Sequence, residues 1–112
     1  MKINNWDDVA ELFDERGYVT VSRYPDREIS HPRVWISFFF YTESRKQAEE
    51  LRAFFGTGMY KKWRTKTAIK REFIVFDRKV AESIIARITG KVIRKKDYLK
   101  KVQKKISSRR FS

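Results

Sequence analysis

VAELFDERGYVTV, residues 9–21, decides how the chain is read. In its first half Val9, Ala10 and Phe13 continue, at spacings of three and four, an apolar pattern begun by Trp6. In its second half the period drops to two, with Val19 and Val21 on one side and Thr20 and Ser22 on the other. The first period belongs to a helix and the second to a strand with one buried face. Asn5 is placed to cap the helix and Gly17 to end it. A helix that runs almost directly into a strand therefore opens the domain.

Working outward, the polar stretch RYPDREISHPR separates this strand from a second, VWISFFFY, in which Val34, Ile36, Phe38 and Phe40 share a face. Ser44 and Gln47 have capping-box spacing; Ala48, Leu51 and Phe55 form the stripe of the helix that follows, and Gly56 stops it. MYKKW and AIKREFIVF make a second hairpin around RTKT. Asp77 caps a third helix with Val80, Ala81, Ile84, Ile85 and Ile88 inside, ended by Gly90, and the basic tail supplies a last helix over roughly 96–106.

The order predicts an α+β domain: an antiparallel four-stranded sheet with helices on one face, αββαββα over residues 1–90, and a basic helical tail, 91–112, packed on that domain or extending it. The other sheet face is left open. Thr20, Ser22, Tyr24, Arg33, Trp35, Ser37 and Phe39 lie on it, a polar and aromatic set unlike the aliphatic set opposite.

The chain has 112 residues, enough for one modest core, and 41% of them are hydrophobic. Its formal charge is +13, and residues 91–112 hold ten Lys or Arg against one Asp. Such an excess favours a polyanionic partner, because each phosphate neutralised releases condensed counterions. A membrane is the weaker partner, since the apolar face of the tail, Leu99, Val102 and Ile106, is thin. With no cysteine, disulfides, thiolate metal sites and thiol nucleophiles are excluded. No apolar run reaches the length of a spanning helix and MKINNWDD lacks a signal core, so the expected setting is cytoplasmic and associated with the nucleoid, or otherwise intracellular.

Three basic groups are candidates for contact with nucleic acid. Arg23, Tyr24, Arg27, His31 and Arg33 decorate the first hairpin; Lys61, Lys62, Arg64, Lys66 and Lys70 decorate the second; the third is the tail from Arg94 through Arg110, with Lys95 and Lys96 near its start. Hairpins at both ends of a sheet can follow a phosphate backbone and present donors to base edges, with Thr20, Ser22, Trp35 and Ser37 between them. Trp35, Phe39, Tyr60 or Trp63 could instead stack the unpaired bases of an RNA. A third reading makes the aromatic face a protein interface, with little salt dependence. No set of His and carboxylates has metal-ligand spacing, no phosphate-cradling Gly-rich loop is present, and Ser107 and Ser108 lack a partner base.

VAELFDERGYVTV resembles the helix-to-strand signature of the LAGLIDADG homing endonucleases. Ala10, Leu12, Asp14 and Gly17 match that motif, and Val9 and Phe13 match in character. A second segment, FFFYTESRKQAEELRAFFGTGMY, is similar to the family's strand, helix and Gly-x-Gly turn, with Phe38, Phe40, Ala48, Leu51, Phe55, Gly56 and Gly58 in register, and FIVFDRKVAESII follows in the expected order. The resemblance covers about residues 5 to 90. It implies a double-stranded DNA-binding sheet and, from a single motif, a homodimer whose motif helices pack together through Trp6, Val9, Ala10 and Phe13. Glu11, where the motif has glycine, puts a charge near that contact.

The resemblance also implies that the last acid of the motif binds a divalent cation, and here that position is Arg16. Mg²⁺ takes oxygen ligands; a guanidinium offers donors only. Glu15, one residue earlier, is turned by about 100° on a helix, and Asp14 matches an acid of the motif that does not ligate. The expectation is a duplex DNA-binding protein without cleavage activity or cofactor, a candidate transcriptional regulator, in which Arg16 reaches a phosphate. The alternative is an active Mg²⁺-dependent endonuclease in which Glu15, Asp14 or a partner supplies the acid.

Overall fold

The computed structural model describes residues 2–24 and 33–107. Helix α1, Trp6–Arg16, begins where the Asn5 side chain accepts the Asp8 N–H at 3.0 Å, with Asp7 and Asp8 complementing the positive end of the helix. Strands β1, Gly17–Tyr24, and β2, Arg33–Tyr41, pair antiparallel, with Gly17 opposite Phe40 and Tyr24 opposite Arg33. Helix α2, Arg45–Phe55, opens on a reciprocal cap: Ser44 accepts the Gln47 N–H, and the Gln47 side chain accepts the Glu43 N–H at 3.0 Å. It ends at Gly56, whose φ of 75° is the left-handed conformation that favours glycine.

The second hairpin comprises β3, Met59–Arg64, and β4, Ile69–Val75. Asp77 accepts the Val80 N–H to start α3, Arg78–Ile88, and α4 spans Lys96–Ser107. The four strands form one antiparallel sheet in the order β1-β2-β4-β3. This is the α+β arrangement the sequence implies.

Alternation sorts the sheet into two faces. Val19, Ile36, Phe38, Phe40, Phe73 and Val75 are buried together with residues from all four helices. Phe13 packs against Phe38 and Phe40, with ring centroids 5.5 and 6.1 Å apart, and Phe55 bridges Phe40 to Phe73. Helix α4 enters the same core through Leu99 and Val102. The alternate residues Thr20, Trp35 and Tyr41 are exposed, so no helix among the described residues covers the second face.

Two expectations about α1 change. Val9, Ala10 and Phe13 lie inside the chain's own core and so offer no surface to a second copy, while Trp6, partly buried, packs edge-on against Phe54 at 5.0 Å. An apolar stripe on a helix must be covered, and here the chain's own sheet covers it. Apart from Arg16 at its end, what α1 exposes is acidic: Asp7, Glu11 and Glu15 at successive helical turns. Gly17 ends α1 in extended rather than left-handed backbone. It is needed for space, since a Cβ there would lie 2.3 Å from the Phe13 ring.

Candidate nucleic-acid interface

Helix α1 delivers three ionisable residues to the corner where it meets β1. Asp14 turns toward the segment entering α4 and accepts from the N–H groups of Ile93, Arg94 and Lys95 at 3.3, 3.1 and 2.8 Å. Burial raises its pKa, but these three donors and the Arg94 charge outweigh it, so the carboxyl lies below the usual range. Lys95 returns the contact: its ammonium donates to the carbonyl of Phe13 at 2.9 Å and to that of Gly17, and it sits 5.2 Å from the centre of the Phe13 ring. Burial pulls the Lys95 ammonium below the ordinary lysine range, against the opposing pull of Asp14.

This geometry changes the sequence reading of both residues. Lys95, expected to contact nucleic acid, is engaged instead with the Phe13 carbonyl, which also accepts the Gly17 N–H, and with the Gly17 carbonyl just past the helix, at the negative end of the helix dipole. Asp14, a fallback acid, is occupied by backbone donors. Both contacts span about eighty residues of chain, so no local pattern announced them.

Arg16 points elsewhere. Its guanidinium lies 3.5 Å from the Glu43 carboxylate, with both side chains about half exposed. A pair so open to water is worth about 0–1 kcal/mol and leaves Arg16 available to a stronger anion. Glu43 was not among the expected site residues; the sequence places it just before a helix cap and gives no sign that it faces Arg16. The residues at this corner do not fit Mg²⁺. Arg16 has no acceptor, Asp14 is held by three N–H groups, Glu43 faces a fixed cation, and exposed Glu15 remains as one carboxylate. Among the described residues no three His, Cys, Asp or Glu side chains converge as a metal site.

The open sheet face is the larger surface. Tyr18, Thr20 and Ser22 on β1 stand opposite Phe39, Ser37 and Trp35 on β2. Further across, Tyr41 stands beside Glu72, and Glu72 beside Lys61; Lys70 stands beside Trp63. Lys61 and Lys70 are exposed on this face, whereas register turns Lys62 and Arg64 to the opposite side of the projecting hairpin, where they are also exposed. Lys66 lies in the turn that the Thr65 side chain closes on Ala68. Lys96 is exposed at the start of α4.

Arg23, Tyr24 and Arg33 belong to the strands, but their side chains are outside the description, and Arg27 and His31 lie outside the described residues altogether. Sequence reasoning missed the centre of the face. Glu72 is buried there, accepting from the Tyr18 hydroxyl at 3.0 Å, while the Tyr18 ring stacks on Phe39 with centroids 4.5 Å apart. Burial and the neighbouring carboxylate push the Tyr18 phenol well above its ordinary range.

The backbone path closely follows that of known proteins. A homing endonuclease, I-TnaI, superposes with a TM-score of 0.69 at 20% identity, over 93% of this chain and 71% of that one. The fold is that of the LAGLIDADG homing endonucleases. The LAGLIDADG homing endonuclease I-SmaMI, bound to cleaved DNA, gives 0.66 at 22% identity, over 94% of this chain and 37% of its own. The archaeal intron-encoded homing endonuclease I-Vdi141I, complexed with DNA, gives 0.63 at 15% identity, over 84% of this chain and 61% of its own. The chain thus spans less than two thirds of the length of several of the structures it resembles. No family model and no curated protein matches the sequence. The likeness to these structures therefore lies in the path of the chain.

Proposed function

We propose that this chain binds double-stranded DNA along the open face of its sheet and does not cut it, acting as a regulator built on an endonuclease fold. The observation that carries this is the Arg16–Glu43 pair: a cation occupies the end of the motif helix where hydrolysis in this fold needs a metal-binding carboxylate. A guanidinium so placed suits a phosphate, which it can grip through two parallel N–H bonds once Glu43 is displaced. The solved DNA complexes of this fold support a DNA ligand, and the charge of +13 supports a polyanion.

A homodimer through α1, implied by the single motif, would set Glu11 and Glu15 against their own copies, because a two-fold interface presents the same patch twice. The free chain is accordingly a monomer in this proposal. One observation favours retained cleavage as a second reading: Glu43 brings a carboxylate to the helix end, and a displaced Arg16 would leave it beside Glu15.

The test is a titration on a random-sequence duplex at two salt concentrations with Mg²⁺ present, followed by product analysis. Binding that weakens steeply with salt and leaves intact strands supports the proposal. Metal-dependent nicking selects the second reading, and absence of binding overturns both.

A further inference from the structure

Leaving aside Arg33, which strand register also puts on this face, the described side chains of the open face are poorly equipped to read base edges through a continuous duplex. Groove readout uses long forked or paired donors and acceptors such as Arg, Asn, Gln or Lys. Among the described side chains on this face, the long donors of that kind are Lys61 and Lys70 alone. Beside the short hydroxyls of Thr20, Ser22 and Ser37, its exposed bulk is large rings and a thioether: Trp63, Tyr41, Trp35 and Met59 are 36–51% exposed. An aromatic plane gains little from stacked, paired bases, whose faces are already covered, whereas an unpaired base offers a free π-face.

Register places these groups for such a strand. Trp63 is flanked by Lys61 two residues back on β3 and by Lys70 directly opposite on β4. Tyr41 lies in the Lys61 row, two strands over, so the two rings are offset by about 7 Å along the strands and about 10 Å across them. The acid in that row, Glu72, is withdrawn beneath the Tyr18 hydroxyl. Two rings that sequence would have added drop out: Phe39 is already covered by the stacked Tyr18 ring, and Tyr60 faces the helices and packs on the core; Tyr41 also meets Tyr18, centroids 5.7 Å apart and tilted, but stays 39% exposed. The surface that remains combines ring faces with ammonium groups at their edges, the chemistry of a site for unpaired nucleic acid.

We infer that the open face takes DNA containing an unpaired stretch in preference to continuous duplex, its bases stacking on Trp63 and Tyr41 while Lys61 and Lys70 meet the phosphates. This rests on the open face being the DNA-binding surface. The test compares a fluorescent duplex with the same duplex carrying a short central bubble, by anisotropy at fixed salt, using the full chain and its Trp63→Ala, Trp63→Phe and Tyr41→Ala variants. Circular dichroism checks that each variant is folded. The bubble is expected to bind about tenfold tighter, roughly the effect of one stacked base. Trp63→Ala or Tyr41→Ala should remove that preference, and Trp63→Phe should keep most of it.

Equal affinity for the two DNAs overturns the inference and leaves duplex binding intact. A preference that survives both alanine variants overturns the assignment to these rings. Failure to bind either DNA removes the underlying DNA-binding proposal as well. Should Trp63→Ala not fold, the Tyr41→Ala and Trp63→Phe comparison decides.

Discussion

The Tyr98 hydroxyl donates to the Val19 carbonyl at 2.8 Å and accepts the Val19 N–H at 3.0 Å, so one side chain of α4 satisfies both outward groups of a residue on the edge strand. β1 is an end strand of the sheet, and an unpaired edge invites pairing with another chain. Two residues earlier the Lys95 ammonium takes the Gly17 carbonyl. Helix α4 is thus an edge cover as well as a carrier of charge.

Tyr98→Phe should therefore destabilise the fold while keeping the ring contact with Phe13. Leaving a part-buried donor and acceptor unpaired costs about 1–3 kcal/mol. Urea unfolding should show a lower midpoint with an unchanged slope, and light scattering near the midpoint should rise as the β1 edge opens. An unaltered midpoint would mean that water replaces the hydroxyl at no cost.

Asp14 links stability to pH. Its carboxyl is held below its ordinary value, so between that lowered pKa and the unfolded value of about 3.9 the unfolded chain binds more protons. Its contribution is complete above about pH 4 and disappears as pH falls through the folded pKa. Asp14→Asn should lose the charge-assisted bonds to 93–95 at neutral pH and flatten the acid limb of a stability-versus-pH curve. Chemical denaturation at pH 3 and pH 7 measures both effects, and an equal difference between variant and parent at the two values would show that Asp14 is not the source.

Sedimentation tests the acidic side of α1. The free chain is expected to remain monomeric at tens of micromolar. Glu11→Ala with Glu15→Ala removes the like charges at no cost in helix propensity and should promote self-association. Parent protein already dimeric at such concentrations would place the pairing surface away from this repulsion.

Much of the fold was legible because its signals are local. Asn5, Ser44 and Asp77 each precede a helix and each accepts an N–H three residues on. Alternation in VTVS and WISFFF set the two sheet faces before register was known. What could not be read was which surface covers an apolar stripe: Val9, Ala10 and Phe13 fit a partner helix or their own sheet equally well by periodicity. Nor could the sequence join Asp14 to residues 93–95 or Arg16 to Glu43, since those contacts depend on how distant elements dock. Trp63 and Tyr60 show the same limit at finer scale. Three residues apart on one strand, they face opposite sides, and only a fixed register says which is toward the core.

The Arg16–Glu43 pair makes the last prediction. Arg16→Asp would leave a carboxylate on each side of a gap now bridged by an ion pair of 3.5 Å. Two such groups repel unless a cation lies between them, so the variant should be less stable than the parent in chelator and regain stability when millimolar Mg²⁺ or Ca²⁺ is added. The parent, with Arg16 in place, should show no comparable gain, because its guanidinium repels a divalent ion by several kcal/mol at about 4 Å in a surface-like dielectric. Thermal unfolding of both proteins with and without metal gives the comparison, and a plasmid-nicking assay on the same samples asks whether a restored ion also restores hydrolysis. Metal-dependent stabilisation without nicking would mean that the ion site returns but the catalytic geometry does not. No stabilisation at all would show that an acid at position 16 is not by itself enough to hold a divalent ion at this helix end.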